Sequence, residues 1–188
     1  MSKQERFRYG SHRRQSLGKR GATLAGALRN VVAVYSARPS GPLSLFARVR
    51  SFSAQGFHNL EQERTALRVP AVRESVDLVP TEAAASAMAK PLPPPNAPYG
   101  QKRYSQKGQA IPADKCGERQ EKILKVANRP LDVATLQQAV GTPGIKPVLN
   151  QMAFEGSLLR VGAEGLRSNT IRCVSTGFWA PAARGGSL

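Results

Sequence analysis

Between Cys116 and Trp179 the chain repeats one pattern, a short apolar stripe followed by a residue that ends it. Each stop holds its helix to about three turns, which constrains the fold more than any other feature of the chain. A first helix is predicted over Glu118 to Asn128, with Gln120, Ile123, Leu124 and Ala127 on one face. Asp132 is placed as the next N-cap, with Leu131 and Leu136 spaced as a hydrophobic staple. Val133, Leu136 and Val140 form that second helix's stripe, and Gly141 stands where a left-handed closing residue belongs. A third helix fits Ile145 to Glu155; Pro147 lies in its first turn, where a missing N–H costs nothing, and Gly156 ends it. Ser157 to Val161 and Thr170 to Val174 then alternate as two half-buried strands, joined by the polar loop Gly162 to Asn169.

Three short helices followed by a basic hairpin predict a winged helix-turn-helix. In such a unit the third helix lies in the major groove, and the hairpin straddles the backbone or the minor groove. Ile145, Leu149 and Met152 form the inward stripe of that helix; Lys146 and Asn150 face outward with Gln151 beside them. Asn and Gln read adenine edges by two-point contact, and Lys reaches guanine or phosphate. Arg160, Arg167 and Arg172 on the hairpin suit phosphate oxygens. The alternative is a small helical domain whose solvated positions contact protein.

The charge of the whole chain agrees with the first reading. Across 188 residues the formal net charge is +16 and the pI about 10.9, a balance that favours a polyanionic partner. The length allows one domain or two small ones. No apolar run approaches the roughly 18 residues of a membrane span. Cys116 and Cys173 are too few for a disulfide framework, and His12 and His58 lack the spacing of metal ligands or a triad. With no P-loop, zinc motif or dinucleotide fingerprint, neither a metal nor a cofactor is expected.

Upstream, residues 1–20 carry seven Lys or Arg and no periodic apolar face, which predicts a disordered basic arm. The arm either hugs phosphates or is a solvated tail; the first fifty residues are also Arg- and Ser-rich like an organellar presequence. Residues 21–90 read as a partial winged-helix-like domain. Leu24, Leu28, Val31 and Val32 mark a buried helix, and Leu45 and Val49 a second over Leu43 to Val49. Ala66 to Val69 and Ser75 to Val79 are strand-like, and Thr81 is placed as the cap of a helix Glu82 to Ala89. Residues 91–115 form a linker in which Pro91, Pro93, Pro94 and Pro95 favour extended geometry. Tyr99, Lys102, Arg103, Tyr104 and Lys107 interleave aromatic and basic side chains there, suited to bases and phosphates or simply to solubility. Residues 116–181 are the C-terminal unit and 182–188 a tail, so the expected class is α+β, mainly helical.

The run Arg68-Val69-Pro70-Ala71-Val72-Arg73-Glu74-Ser75-Val76-Asp77-Leu78-Val79-Pro80 resembles a signature of the AlkZ/YcaQ-type crosslink-repair DNA glycosylases. That family carries Arg-x-x-x-Met-Arg-Gly-Thr/Ser-x-His-Leu-Val-Pro, ending a strand before a helix. Pro42-Leu43-Ser44-Leu45-Phe46-Ala47-Arg48 is similar to its upstream segment. Glu155 to Arg160, Leu166-Arg167-Ser168 and Trp179-Ala180-Pro181 are similar to its C-terminal pattern. The likeness runs over about residues 20–181, in patches and in the family's order. Each motif is loose alone; together they are moderately specific.

The resemblance implies duplex DNA binding by tandem winged helices and, in some members, cleavage of the N-glycosidic bonds of alkylated bases. Arg48, Arg68 and Arg73 lie in the matching segments and join the C-terminal residues as expected DNA contacts. Members active on alkylated bases carry a Gln-x-Gln or similar motif just before the segment matching Pro42 to Arg48. Here the stretch is Val34-Tyr35-Ser36-Ala37-Arg38, without glutamine; the family's His is Asp77, and the usual Gly after the Arg is Glu74. The remaining catalytic candidates are Tyr35, to wedge or stack against a lesion, and Asp77, to accept a hydrogen bond from water. Both also read as packing or solvated residues. These departures predict a duplex-DNA-binding relative without efficient base excision. The alternatives are an active glycosylase of base-excision repair, drawing on Tyr35, Ser36, Asp77 or a residue outside these motifs, and a winged-helix transcription regulator. The expected location is the cytoplasm, with a bacterial nucleoid, or an organelle if the basic N-terminus is a presequence.

Overall fold

The structure, a computed structural model of the chain, starts a helix after the predicted cap Asp132, whereas Thr81, also expected as a cap, is itself the first residue of its helix. It describes residues 2–36, 40–71, 75–88, 105–106, 109–110, 113–141, 144–162, 166 and 170–179. The result is a mixed α+β protein whose contacts divide into two units, 1–87 with 164–169, and 88–163 with 170–188.

The N-terminal arm departs from expectation. Lys3–Arg14 is a helix, α1, closed at its start by a capping box: Ser2 Oγ accepts from the Glu5 N–H at 3.2 Å, and Glu5 Oε2 from the Ser2 N–H at 2.6 Å. Capping acts locally, so this helix forms while Phe7 and Tyr9 stay 76% and 57% exposed. Helix α2, Leu24–Val31, starts where Thr23 Oγ1 accepts from the Gly26 N–H at 3.1 Å. Strand β1 is Val34–Tyr35 and helix α3 is Ser40–Phe46. Helix α4, Ala54–Gln62, is capped by Ser53 Oγ and was not foreseen. Its apolar positions Phe57 and Leu60, separated by His58 and Asn59, make too short a stripe to read as a helix by itself.

Strands β2, Ala66–Pro70, and β3, Val76–Pro80, pair antiparallel, with β1 on the other side of β3. Their alternation puts Val34 and Leu78 on the face that meets the helices. There they join Ala27, Leu28, Leu45, Val49, Phe57, Leu60 and Ala66 in one core. Each large buried aliphatic side chain contributes about 1.5–3 kcal/mol. Helix α5, Thr81–Met88, follows β3 directly; the Thr81 hydroxyl donates to the Arg64 carbonyl at 2.5 Å. Leu166, expected in a polar wing, packs instead against this first core.

Most of the predicted linker lies outside the described residues. Within it, β4, Ser105–Gln106, pairs antiparallel with β5, Gln109–Ala110. Helix α6, Ala113–Val126, begins before the predicted linker ends. Ile123 and Ala127 are fully buried, whereas Leu124 is 39% exposed, so the stripe is narrower than expected. After the short strand β6, Leu131–Asp132, come α7, Val133–Val140, and α8, Lys146–Phe154. Asp132 Oδ1 accepts from the Thr135 N–H at 2.8 Å, and Gly141 closes α7 at φ +66°, both as predicted. Strands β7, Leu158–Gly162, and β8, Ile171–Ser175, form the hairpin, with β6 beside β8. A one-turn helix, α9, Thr176–Trp179, follows. Ile123, Leu136, Ile145, Leu149, Met152 and Leu158 centre this second core, with Cys116 and Cys173 buried in it.

Candidate catalytic pair and nucleic-acid interface

In the first unit the structure brings Tyr35 and Asp77 together. They are direct partners across β1 and β3, and directly opposed residues share a face. Tyr35 is 41% exposed and Asp77 only 6%. The Ser75 hydroxyl donates to Asp77 Oδ2 at 2.7 Å, and Val69 on β2 is Asp77's other cross-strand partner. Asp77 is therefore not the solvated strand residue that the bland alternative offered. Ser36 is buried too: its hydroxyl donates to the Val76 carbonyl at 2.7 Å, and its N–H to the same oxygen at 2.9 Å. Gly41, buried at the start of α3, allows close packing onto β1, since a Cβ there would overlap the Tyr35 carbonyl oxygen.

Arg68 corrects a prediction. It lies on the opposite face of β2 from Val69 and is buried, so it is not placed to meet phosphate. Its guanidinium grips Glu61 in two-point contact, with Nε and Nη2 both 2.9 Å from the carboxylate oxygens, and Nη1 donates to the Ser36 carbonyl at 3.2 Å. Glu61 was missed because α4 was missed; the Ser53 cap followed by Phe57, Leu60 and Glu61 on one helical face is the signal that could have found it. Arg48 is half-buried and also engaged, donating to the Gln15 carbonyl at 2.8 Å and to the Ser44 carbonyl at 2.7 Å. Arg73 and Arg167 lie outside the described residues.

In the second unit α8 turns Ile145, Leu149 and Met152 inward and leaves Lys146 and Asn150 exposed, one turn apart, as expected. Gln151 is only half-exposed; its Nε2 donates to Glu155 Oε1 at 2.5 Å, and Gln120 Nε2 donates to Glu155 Oε2 at 3.0 Å. The hairpin arginines do not form one patch. Arg160 is opposite Cys173 and Arg172 opposite Val161, so the two side chains leave opposite faces. Arg160 sits on the core side, and its Nη2 donates to Asn150 Oδ1. Burial lowers the Arg160 pKa and raises that of Cys173. Among the described residues no group of three or more His, Cys, Asp or Glu could hold a metal ion, and no helix is long and apolar enough to cross a membrane.

The fold is that of a mixed α+β protein with antiparallel strands in each unit and a three-helix-and-hairpin C-terminal unit. A family model described as DNA glycosylase AlkZ-like matches residues 28–186, and the chain belongs to that DNA-repair family. The structure is also similar to the Streptomyces sahachiroi DNA glycosylase AlkZ, with a TM-score of 0.68 at 16% sequence identity. That match covers 94% of this chain and 50% of the other, so the chain spans half the length of that glycosylase. No curated protein matches the chain.

Proposed function

We propose that this chain binds duplex DNA through its C-terminal unit, used as a winged helix with α8 toward the groove, and that it does not release bases efficiently. The carrying observation is the chemistry at the family's glutamine motif. Base excision needs a group that positions water and stabilises positive charge growing on the deoxyribose. In place of the glutamines stand Val34, Tyr35 and Ser36, and the Ser36 hydroxyl is spent on the Val76 carbonyl. Asp77, in place of the family's His, is buried with its carboxylate accepting from the Ser75 hydroxyl. Binding rests on different groups, the exposed Lys146 and Asn150 and the net charge of +16.

The test is incubation with duplex carrying an alkylated purine, followed by alkaline strand cleavage, with binding to the same duplex titrated against salt. Salt-sensitive binding without strand breaks is expected. Breaks above the no-protein control that vanish on Asp77→Asn or Tyr35→Ala make the chain an active glycosylase. Absence of binding overturns the DNA reading altogether.

A further inference from the structure

Helix α1 is basic and turns no face to a core. Residues 2–9, 12 and 13 are exposed, and none of the helix belongs to either apolar cluster. Lys3, Arg6, Phe7, Gly10 and Arg13 recur at helical spacing and so share one face, about 15 Å long at roughly 1.5 Å per residue. Glu5, the acid of the helix, does not neutralise that face, because its carboxylate accepts from the Ser2 N–H at 2.6 Å in the capping box. Lys3 and Arg6 have no partner among the described residues. Arg13 lies over the Tyr9 ring, its Cζ 5.9 Å from the centroid. Phe7, 76% exposed, has no ring or cation against it among the described residues. The C-terminal end of the helix is tied to its own unit, where the carbonyl of its C-cap Gln15 accepts from Arg48 Nε at 2.8 Å.

We propose that this face of α1 binds single-stranded nucleic acid, with Lys3, Arg6 and Arg13 on phosphates and Phe7 stacked on an unpaired base. The carrying observation is a bare aromatic ring among unneutralised cations on one side of a capped helix. Cations alone suit any polyanion. The ring narrows the choice: a duplex covers its base faces with neighbouring bases, whereas a single strand leaves them open to an aromatic side chain. Gly10, one turn past Phe7, leaves room beside the ring, since even an added Cβ there would meet nothing within 4 Å. An anionic membrane also attracts basic helices that carry aromatics, but it takes up a continuous apolar face. Helix α1 has no such face. Phe7 and Tyr9 are two positions apart, about 200° round the helix, and it holds no Leu, Ile, Val or Met. The surface is separate from α8 and does not depend on duplex binding there.

Binding of the full chain is read by fluorescence anisotropy on three probes of equal length: an oligothymidine strand, an abasic strand with the same phosphates and no bases, and a duplex. Vesicles of phosphatidylcholine with phosphatidylserine, read by co-sedimentation, are the fourth probe. Phe7→Ala is expected to weaken oligothymidine binding about fivefold or more, the worth of one stacked base, and to leave the abasic strand and the duplex unchanged. Lys3→Ala combined with Arg6→Ala is expected to flatten the plot of log affinity against log salt by about 1.4 on both single strands, about 0.7 for each phosphate contact. Gly10→Pro keeps every charge and ring but breaks the helix, and is expected to weaken oligothymidine binding about as much as Phe7→Ala. These positions lie outside both cores, so the variants are expected to stay folded. Phe7→Ala without effect on oligothymidine overturns the stacking contact and the proposal with it. Gly10→Pro without effect makes the segment a charged tail rather than a helical face, which overturns it too. Vesicle binding that Phe7→Ala abolishes, with no oligothymidine binding, makes α1 a membrane-surface helix instead.

Discussion

Tyr35 and Asp77 stand directly opposite each other on β1 and β3, one exposed and the other buried. Their different surroundings assign them different costs of removal. Asp77→Ala takes a buried acceptor from the Ser75 hydroxyl and is expected to destabilise by about 2 kcal/mol. Tyr35→Ala, at a position 41% exposed, is expected to cost less than about 1 kcal/mol. Urea unfolding of the two variants checks the order; equal costs would mean that Tyr35 is as deeply packed as its partner.

The Arg68–Glu61 pair is buried at both ends and held by two hydrogen bonds. Glu61→Ala leaves a guanidinium uncompensated in the core and is expected to cost about 3–5 kcal/mol. Replacing both, Glu61→Leu with Arg68→Met, is expected to recover most of that loss. The salt dependence of duplex binding should be the same for the double variant and the natural chain. A shallower slope would return Arg68 to the list of phosphate contacts.

Asp132 links the start of α7 to pH. The Thr135 backbone N–H, then the Thr135 hydroxyl, holds its carboxyl below the usual carboxylate range. A depressed folded pKa means that the contribution is complete above the unfolded value, about 3.9, and is lost as pH falls through the lower folded value. Asp132→Ala is therefore expected to lower the urea midpoint at neutral pH, with the gap to the natural chain narrowing in acid. A gap that widens in acid would contradict the assignment.

Gly41 carries the approach of α3 to β1. Gly41→Ala drives a Cβ into the Tyr35 carbonyl and is expected to cost about 1–3 kcal/mol, as overpacking does. Gly117, with nothing within 4 Å of an added Cβ, is the control at which Ala is expected to be neutral or slightly stabilising. Thermal unfolding of the pair separates steric conflict from a general glycine effect.

What could be read directly was local. Asp132, Gly141 and the stripe Ile145, Leu149 and Met152 announce themselves within a few residues, because caps and helical periodicity are short-range chemistry. The strands β2 and β3 were legible for the same reason. Helix α4 was not, since Phe57 and Leu60 become a buried face only when Leu28 and Leu45 lie against them. Family membership was legible too, through motifs spread over the chain, and residues 28–186 match the family model.

The sequence by itself determined the element types of the C-terminal unit and the net charge of +16, both of which depend on residue identity and near neighbours. Only the tertiary structure decided what the polar side chains do. Arg68 looks like a phosphate ligand until α4 brings Glu61 to it. Asn150 reads as a solvated amide until the hairpin brings Arg160, ten residues on, to its oxygen. A cation or an amide keeps its chemistry wherever it is placed, but its partner is chosen by packing between segments distant in sequence.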